Sequence, residues 1–150
     1  MKYLIISDTH GNITYAVNAI EKLRPDYCIH LGDMVEDCED LESIFPRQKF
    51  IFVKGNNDYW IRDNSFPDKR VFTLEDKTFF ICHGHKYNVK SGTEYLKREA
   101  KQLNADIVLY GHTHIQKHEN DNGMLIINPG ARDKYAVITI KNDDINVELF

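Results

Sequence analysis

Residues 2–11 read KYLIISDTHG: an unbroken apolar run, Tyr3 to Ile6, released through Ser7 into an acid, a hydroxyl and an imidazole. Four to eight apolar residues bounded by polar ones predict a strand buried on both faces, the kind found in the parallel sheets of α/β folds. Asp8 and His10 then sit at the carboxyl end of that strand, where open α/β sheets bind their ligands.

The same grammar recurs four more times. DYCIHLG (26–32) runs into Asp33, KFIFVKG (49–55) into Asn56-Asn57-Asp58, FFIC (79–82) into His83-Gly84-His85, and ADIVLYG (105–111) into His112-Thr113-His114. Taken singly, each has a bland explanation. Asp8 could cap a helix, Asp33 and Asn56 suit turns, and two loop histidines need no ligand. Five such accidents at the ends of five successive strands are improbable together. Where the chain stays extended, residues two apart share a face, so D-x-H and H-x-H would each aim two groups at one point.

Between the strands the spacing changes to that of helices. Ile13, Ala16, Val17, Ile20 and Leu23 fall on one helical face, with Asn12 as the expected cap and Pro25 beyond the end. A short acidic helix is expected over 37–44. Ser91-Gly92-Thr93-Glu94 has the form of a capping box opening a helix with Leu96, Ala100 and Leu103 inward. Further strands are expected at about 70–74 and 77–82. The last third reads as hairpins, turning at Asp121-Asn122-Gly123 and near Asn142-Asp143. The fold class predicted is α/β: two packed mixed β-sheets, a β-sandwich, flanked by α-helices.

The 150 residues suit one domain, 1–150, with 42% hydrophobic and 28% charged residues typical of a globular protein. A net charge of −4 argues against binding long nucleic acids or anionic membranes. The apolar start is too short for a membrane span. Cys28, Cys38 and Cys82 lack metal-ligand spacing, so reduced thiols and a cytoplasmic setting are expected.

Asp8, His10, Asp33, Asn56, His83, His112 and His114 offer carboxylate, imidazole and amide donors without thiolate. That mixture suits manganese first, with iron, zinc, nickel or cobalt as alternatives, and not calcium alone. Seven donors exceed one tetrahedral zinc but fit two divalent ions sharing a carboxylate. Two such ions about 3.5–4 Å apart can hold a phosphoryl oxygen and generate a hydroxide nucleophile from a shared water.

SDTHG, LGD, GNND, HGH and GHTH, in this order, resemble the motifs of the calcineurin-like metallophosphoesterases, in the compact bacterial and archaeal phosphodiesterase branch of the YfcE type. The resemblance runs from Ile6 to about Arg132, where NPGAR (128–132) matches a loop of that branch. It implies a metallophosphoesterase fold and hydrolysis of small phosphoesters. It would assign Asp8, His10, Asp33 and His114 to one metal and Asp33, Asn56, His83 and His112 to a second, with Asp33 bridging. Many members carry a histidine, proposed to protonate the leaving group, where this chain has Asn57. Asn56, His83 and Asp58 are the catalytic candidates, Asp58 mainly by orienting the Asn56 loop.

The remaining residues have structural readings. Cys82 should face a core away from the ligands, His30 should be buried and His118 exposed. YWIRDNSFPD (59–68) is either a substrate-gripping loop, with Arg62 on phosphate, or a surface loop packed on the domain or on a partner copy. A homo-oligomer is left open. So are two other functions for the same fold, a protein-binding scaffold of weak activity and a nucleotide-specific phosphatase or phosphodiesterase.

Overall fold

Beyond Lys2, every residue of the first strand, β1 (Lys2–Ile6), is buried, because its sheet is covered on both sides. In the computed structural model, which describes residues 1–61 and 66–150, Tyr3 and Ile5 point into the space between two sheets. Leu4 and Ile6 point the other way, beneath helices. Each buried aliphatic side chain contributes about 1.5–3 kcal/mol by leaving water. Alternating faces buried in two different cores thus yield an uninterrupted apolar run.

The first helix, α1 (Thr14–Leu23), leads to β2 (Tyr27–His30), α2 (Val35–Ile44) and β3 (Lys49–Phe52). β4 (Lys69–Leu74) and β5 (Lys77–Cys82) follow, then α3 (Glu94–Gln102), β6 (Ile107–Leu109), β7 (Lys117–Asp121), β8 (Met124–Asn128), β9 (Ala136–Lys141) and β10 (Asp144–Leu149). One mixed sheet has the order β10-β9-β1-β2-β3, the other β4-β5-β6-β8-β7. Strands β1, β2 and β3 are parallel to one another, β3 forming one edge, and β5, β6 and β8 are parallel too; antiparallel pairings join β9 and β10 to the first sheet and β4 and β7 to the second. The α/β sandwich expected from the sequence is the fold observed.

Three apolar layers hold it. Tyr3, Ile5, Ile29, Leu31, Phe79, Ile81, Ile107, Leu109, Ile127 and Ile138 fill the space between the sheets. Ala16, Ile20 and Leu41 of α1 and α2 cover the first sheet, and Leu96 and Ala100 of α3 cover the second. Cys82 lies under α3, away from the inter-sheet core, and all three cysteines are free and buried.

Hairpin turns fall at Glu75-Asp76, Asn122-Gly123 and Asn142-Asp143. All six of these residues have positive φ, as primed two-residue turns require. Two expected caps are absent. The backbone N–H of Asn12 donates to the Thr9 carbonyl in a turn, and α1 starts after Ile13 without a side-chain cap. Ser91 Oγ donates to Asn88 Oδ1, and α3 starts after Thr93, two residues later than a capping box would place it. At Ser91 a local turn takes the hydroxyl that a cap would use, and at Asn12 a backbone turn delays the helix. α2 begins at Val35 rather than 37, for a reason that lies in the site. No helix among the described residues is long and apolar enough to cross a membrane.

Candidate metal centre

The chain after β1 delivers Asp8 and His10, the chain after β2 Asp33, and the chain after β3 Asn56. Those after β5 and β6 deliver His83, then His112 and His114. One sheet thus supplies four of the expected ligands and the other three. The extended backbone foreseen for D-x-H and H-x-H is not what brings them together. Asp8 (φ 52°), His10 (49°), Asp33 (63°), His112 (67°) and His114 (60°) all have left-handed backbone. Such kinks are uncommon outside glycine and cluster at functional sites. Glycine permits the close packing of these loops: a Cβ on Gly55 would lie 2.0 Å from Asp33 Oδ1, and one on Gly111 2.0 Å from Ser7 Oγ.

Asp8 is fully buried, and its two oxygens have different partners. Oδ2 accepts from Ser7 Oγ at 2.5 Å and from the His112 backbone N–H at 3.1 Å. Oδ1 is left to the imidazoles, with Nε2 of His114 at 3.0 Å, of His83 at 3.8 Å and of His10 at 4.0 Å. Two groups of potential metal ligands result: Asp8, His10 and His114, and Asp8, Asp33 and His83, with ligand atoms within 4.8 Å of one another in each. Asp8 is the carboxylate these two groups have in common.

His83 tests whether a cation belongs here. Its Nδ1–H donates to the Leu31 carbonyl at 2.7 Å, so the neutral ring turns an Nε2 lone pair toward Asn56 Oδ1 (3.1 Å), Asp33 Oδ2 (3.4 Å) and Asp8 Oδ1 (3.8 Å). A lone pair facing three oxygens calls for positive charge between them. Burial alone would lower the His83 pKa, yet Asp33 and Asp8 raise it above the ordinary histidine value. Burial would likewise raise Asp33, but the hydrogen bond and charge of His83 hold its carboxyl well below the usual range. Burial, with His83 and Lys90 nearby, pushes His112 down to about 4, leaving its imidazole in the uncharged form that coordinates metals. An ionised Asp33, an uncharged His112 and a His83 whose acidic neighbours favour positive charge beside it fit a site for divalent transition ions.

A single buried carboxylate fixes the surrounding loops. Asp58 Oδ2 accepts from the backbone N–H of Gly55 (2.7 Å) and Asp33 (2.9 Å), and Oδ1 from Met34 (2.9 Å) and Val35 (3.0 Å). Three of these donors lie where α2 begins, so a residue more than twenty positions downstream caps that helix and starts it early. All of Asp58's hydrogen bonds go to backbone, in keeping with an orienting part. Asn57 donates to Asp33 twice, through its backbone N–H to Oδ1 (2.9 Å) and its side chain to Oδ2 (2.8 Å).

The loop after β1 is held from behind. The Gly32 N–H donates to His30 Nδ1, so His30 Nε2–H faces Thr9 Oγ1 at 3.1 Å, and Thr9 donates to Asp37, which also accepts from the Gly11 N–H. Asn128 of NPGAR donates to the Gly111 carbonyl and to Thr113 Oγ1, bracing the GHTH segment. None of these supports was read from the sequence except His30 as a buried residue and Asn128 as part of a matching loop.

A model of the calcineurin-like phosphoesterase superfamily domain matches residues 1–141. The chain belongs to this superfamily. Its activity class is phosphoric ester hydrolysis. It is 32% identical to a probable metallophosphoesterase, YsnB, of Bacillus subtilis, over 100% of this chain and 90% of that protein. It is 33% identical to phosphodiesterase MJ0936 of Methanocaldococcus jannaschii, over 87% and 83% respectively. Zinc-bound Vps29 of Entamoeba histolytica superposes with a TM-score of 0.79 over 100% of this chain and 98% of that one. At 17% identity that likeness is one of fold.

The remaining residues lie beside the centre. His118 is exposed on β7. Arg62 lies outside the described residues. Tyr59 and Trp60 are exposed, at 84% and 52%, whereas Phe66 packs on Phe52 with ring centroids 5.9 Å apart. A groove of about 590 Å³ near Arg24, Phe45 and Arg47 lies at the amino ends of β2 and β3, away from the ligands.

Proposed function

We propose that this phosphoesterase is a phosphodiesterase acting on small phosphoesters at a dinuclear site. Asp8, His10, Asp33 and His114 would hold one ion, and Asp33, Asn56, His83 and His112 the other, manganese being the ion that the donor set favours. The observation that carries the reading is the His83 lone pair facing Asp8, Asp33 and Asn56, an electrostatic demand that only a cation or a proton meets. Divalent ions bound there would supply Lewis acidity toward phosphoryl oxygens and a water of lowered pKa.

The remaining tasks belong to the chain. Asp8, anchored through Oδ2, keeps Oδ1 toward three imidazoles. Leu31 fixes the His83 tautomer, as ligating histidines require. Asp58 keeps the Asp33 and Asn56 loops in register. Asn57, with its amide committed to Asp33, offers the leaving oxygen no transferable proton, so esters of acidic alcohols such as aryl esters are favoured. All seven ligand positions are filled, which favours catalysis over a scaffold role. A cytoplasmic location completes the proposal.

Stripping the protein with chelator and restoring manganese or magnesium tests it. Manganese should release p-nitrophenolate from bis-p-nitrophenyl phosphate, faster than from p-nitrophenyl phosphate, and magnesium should restore less. Two bound ions with no turnover of any phosphoester would leave the scaffold reading in its place.

A further inference from the structure

His85 is the second histidine of HGH, and ligation does not use it. Its ring lies 5.5 Å from that of His83 and 6.1 Å from that of His112, centroid to centroid, so it borders the metal centre. Its other neighbours are the walls of a cavity of about 310 Å³, formed with Gly84, Asp68, Lys69, Lys86 and Tyr87. His85 is therefore common to the centre and the cavity.

Among the described residues, no side-chain hydrogen bond holds the His85 imidazole. Both ring nitrogens of His30 are bonded, and both of His83 have close partners. His85 Nδ1 is enclosed and without a partner among the described residues. An unpaired buried nitrogen costs stability, and a turn of the ring would bring it to face a molecule in the cavity, where it would find a partner.

The lining indicates which ligand. Asp68 and Lys86 are paired at 2.7 Å, and Lys69 is taken by Glu99 at 2.6 Å, so the cavity carries no surplus charge suited to a second phosphate. It offers one carboxylate acceptor, Asp68, beside the Lys69 and Lys86 ammonium donors, the combination a hydroxyl satisfies because it both donates and accepts. Tyr87, seated edge-on against Phe80, supplies an aromatic wall. The volume lies at the small end of ligand pockets.

We infer that this cavity receives the ester substituent that stays on phosphorus, a hydroxyl-bearing group of about pentose size. The inference rests on the phosphodiesterase reading, since only a diester keeps a substituent after cleavage. In the reaction, water adds to phosphorus and the bond to the leaving oxygen breaks with its electron pair. The retained group leaves as a phosphomonoester, and the two protons of the water pass to solvent at alkaline pH.

Two diesters with the same leaving group test it on the manganese-loaded protein: uridine 5′-(p-nitrophenyl phosphate) and methyl p-nitrophenyl phosphate. The ratio of their kcat/KM values should favour the uridine ester by about tenfold, the worth of one or two good hydrogen bonds, and His85→Ala or Asp68→Asn should erase most of that preference. Turnover of the methyl ester without a uridine preference, or a ratio unmoved by both substitutions, overturns the cavity's role and leaves the phosphodiesterase standing. Turnover of neither diester overturns both. A second readout is free of catalysis. Uridine 5′-phosphate added to the metal-free protein should shift the His85 and Tyr87 side-chain NMR signals, and unshifted signals would refute the site.

Discussion

The Asn57 side-chain amide donates to Asp33 Oδ2 at 2.8 Å while its backbone N–H donates to Oδ1 at 2.9 Å. The residue that stands in place of a leaving-group acid therefore holds a proposed metal-ligand carboxylate by both oxygens. Asn57→Ala removes one of the two bonds. Metal affinity, measured by competition with a chelator, should fall by about 10–100-fold, as when other partners of ligand groups are lost. Unchanged affinity would mean that the amide serves only the loop.

Asn57→His separates that grip from acid catalysis. Alkyl leaving groups need a proton in the transition state and nitrophenolate needs little, so an added acid should flatten the dependence of kcat/KM on leaving-group pKa. The side-chain bond to Asp33 is lost at the same time, so metal content must be measured with the rates. An unchanged slope with both ions bound would show that acid catalysis was not lost at this position.

Asp33→Asn should lower the content of both ions and abolish nearly all turnover, whereas Asp8→Asn should deplete mainly one. The contrast is informative because Asp8 Oδ1, not Asp33, is common to the two ligand groups as the side chains stand. Elemental analysis of the two purified variants decides it. The reverse pattern would make Asp8 the shared carboxylate.

Asp58→Ala strands four backbone donors, and the cost should be about 3–5 kcal/mol of stability in urea titrations followed by circular dichroism. Asp58→Asn keeps one acceptor oxygen and should lose less. A loss under about 1 kcal/mol in the alanine variant would contradict the bonding described.

His30 gives a pH signature. Burial, opposed by the Asp8 and Asp37 carboxylates, depresses its pKa from 6.5 to about 4. Between those values the unfolded chain binds a proton that the folded chain does not, so stability is complete above pH 6.5 and declines on acidification, levelling near pH 4. The loss is on the order of 3 kcal/mol. In metal-free protein, His30→Gln should remove that part of the slope. An identical slope in the variant would assign the acid sensitivity to other groups.

The sequence made the cluster of candidate ligands legible for a physical reason. An apolar run covered on both faces must emerge at a sheet end, and metal-binding side chains there stand out against a hydrophobic background. The two-sheet architecture followed from the helical and alternating spacings. What escaped was long-range. Asp58 is expected to orient its own loop, but not to reach donors 23 to 25 positions away, and Thr9 reaches Asp37 across 28, where the local pattern says only turn. Asn12 and Ser91 erred in the opposite direction. Ser91 spends its hydroxyl on Asn88 instead of on the helix, and Asn12 lies in a backbone turn ahead of a helix that starts two residues later.

Four ligand positions, Asp8 to Asn56, hang from the β1-β2-β3 side and three, His83 to His114, from the β5-β6 side. Neither sheet alone carries a complete set. The two sheets meet elsewhere through apolar side chains, which tolerate small slippage more readily than directional coordination does. The mouth of the sandwich is thus a clasp whose halves are sewn to different panels. Sliding one panel against the other would misalign the proposed ligand set before it opened the core, so that end of the sandwich is the part most sensitive to how the sheets are seated.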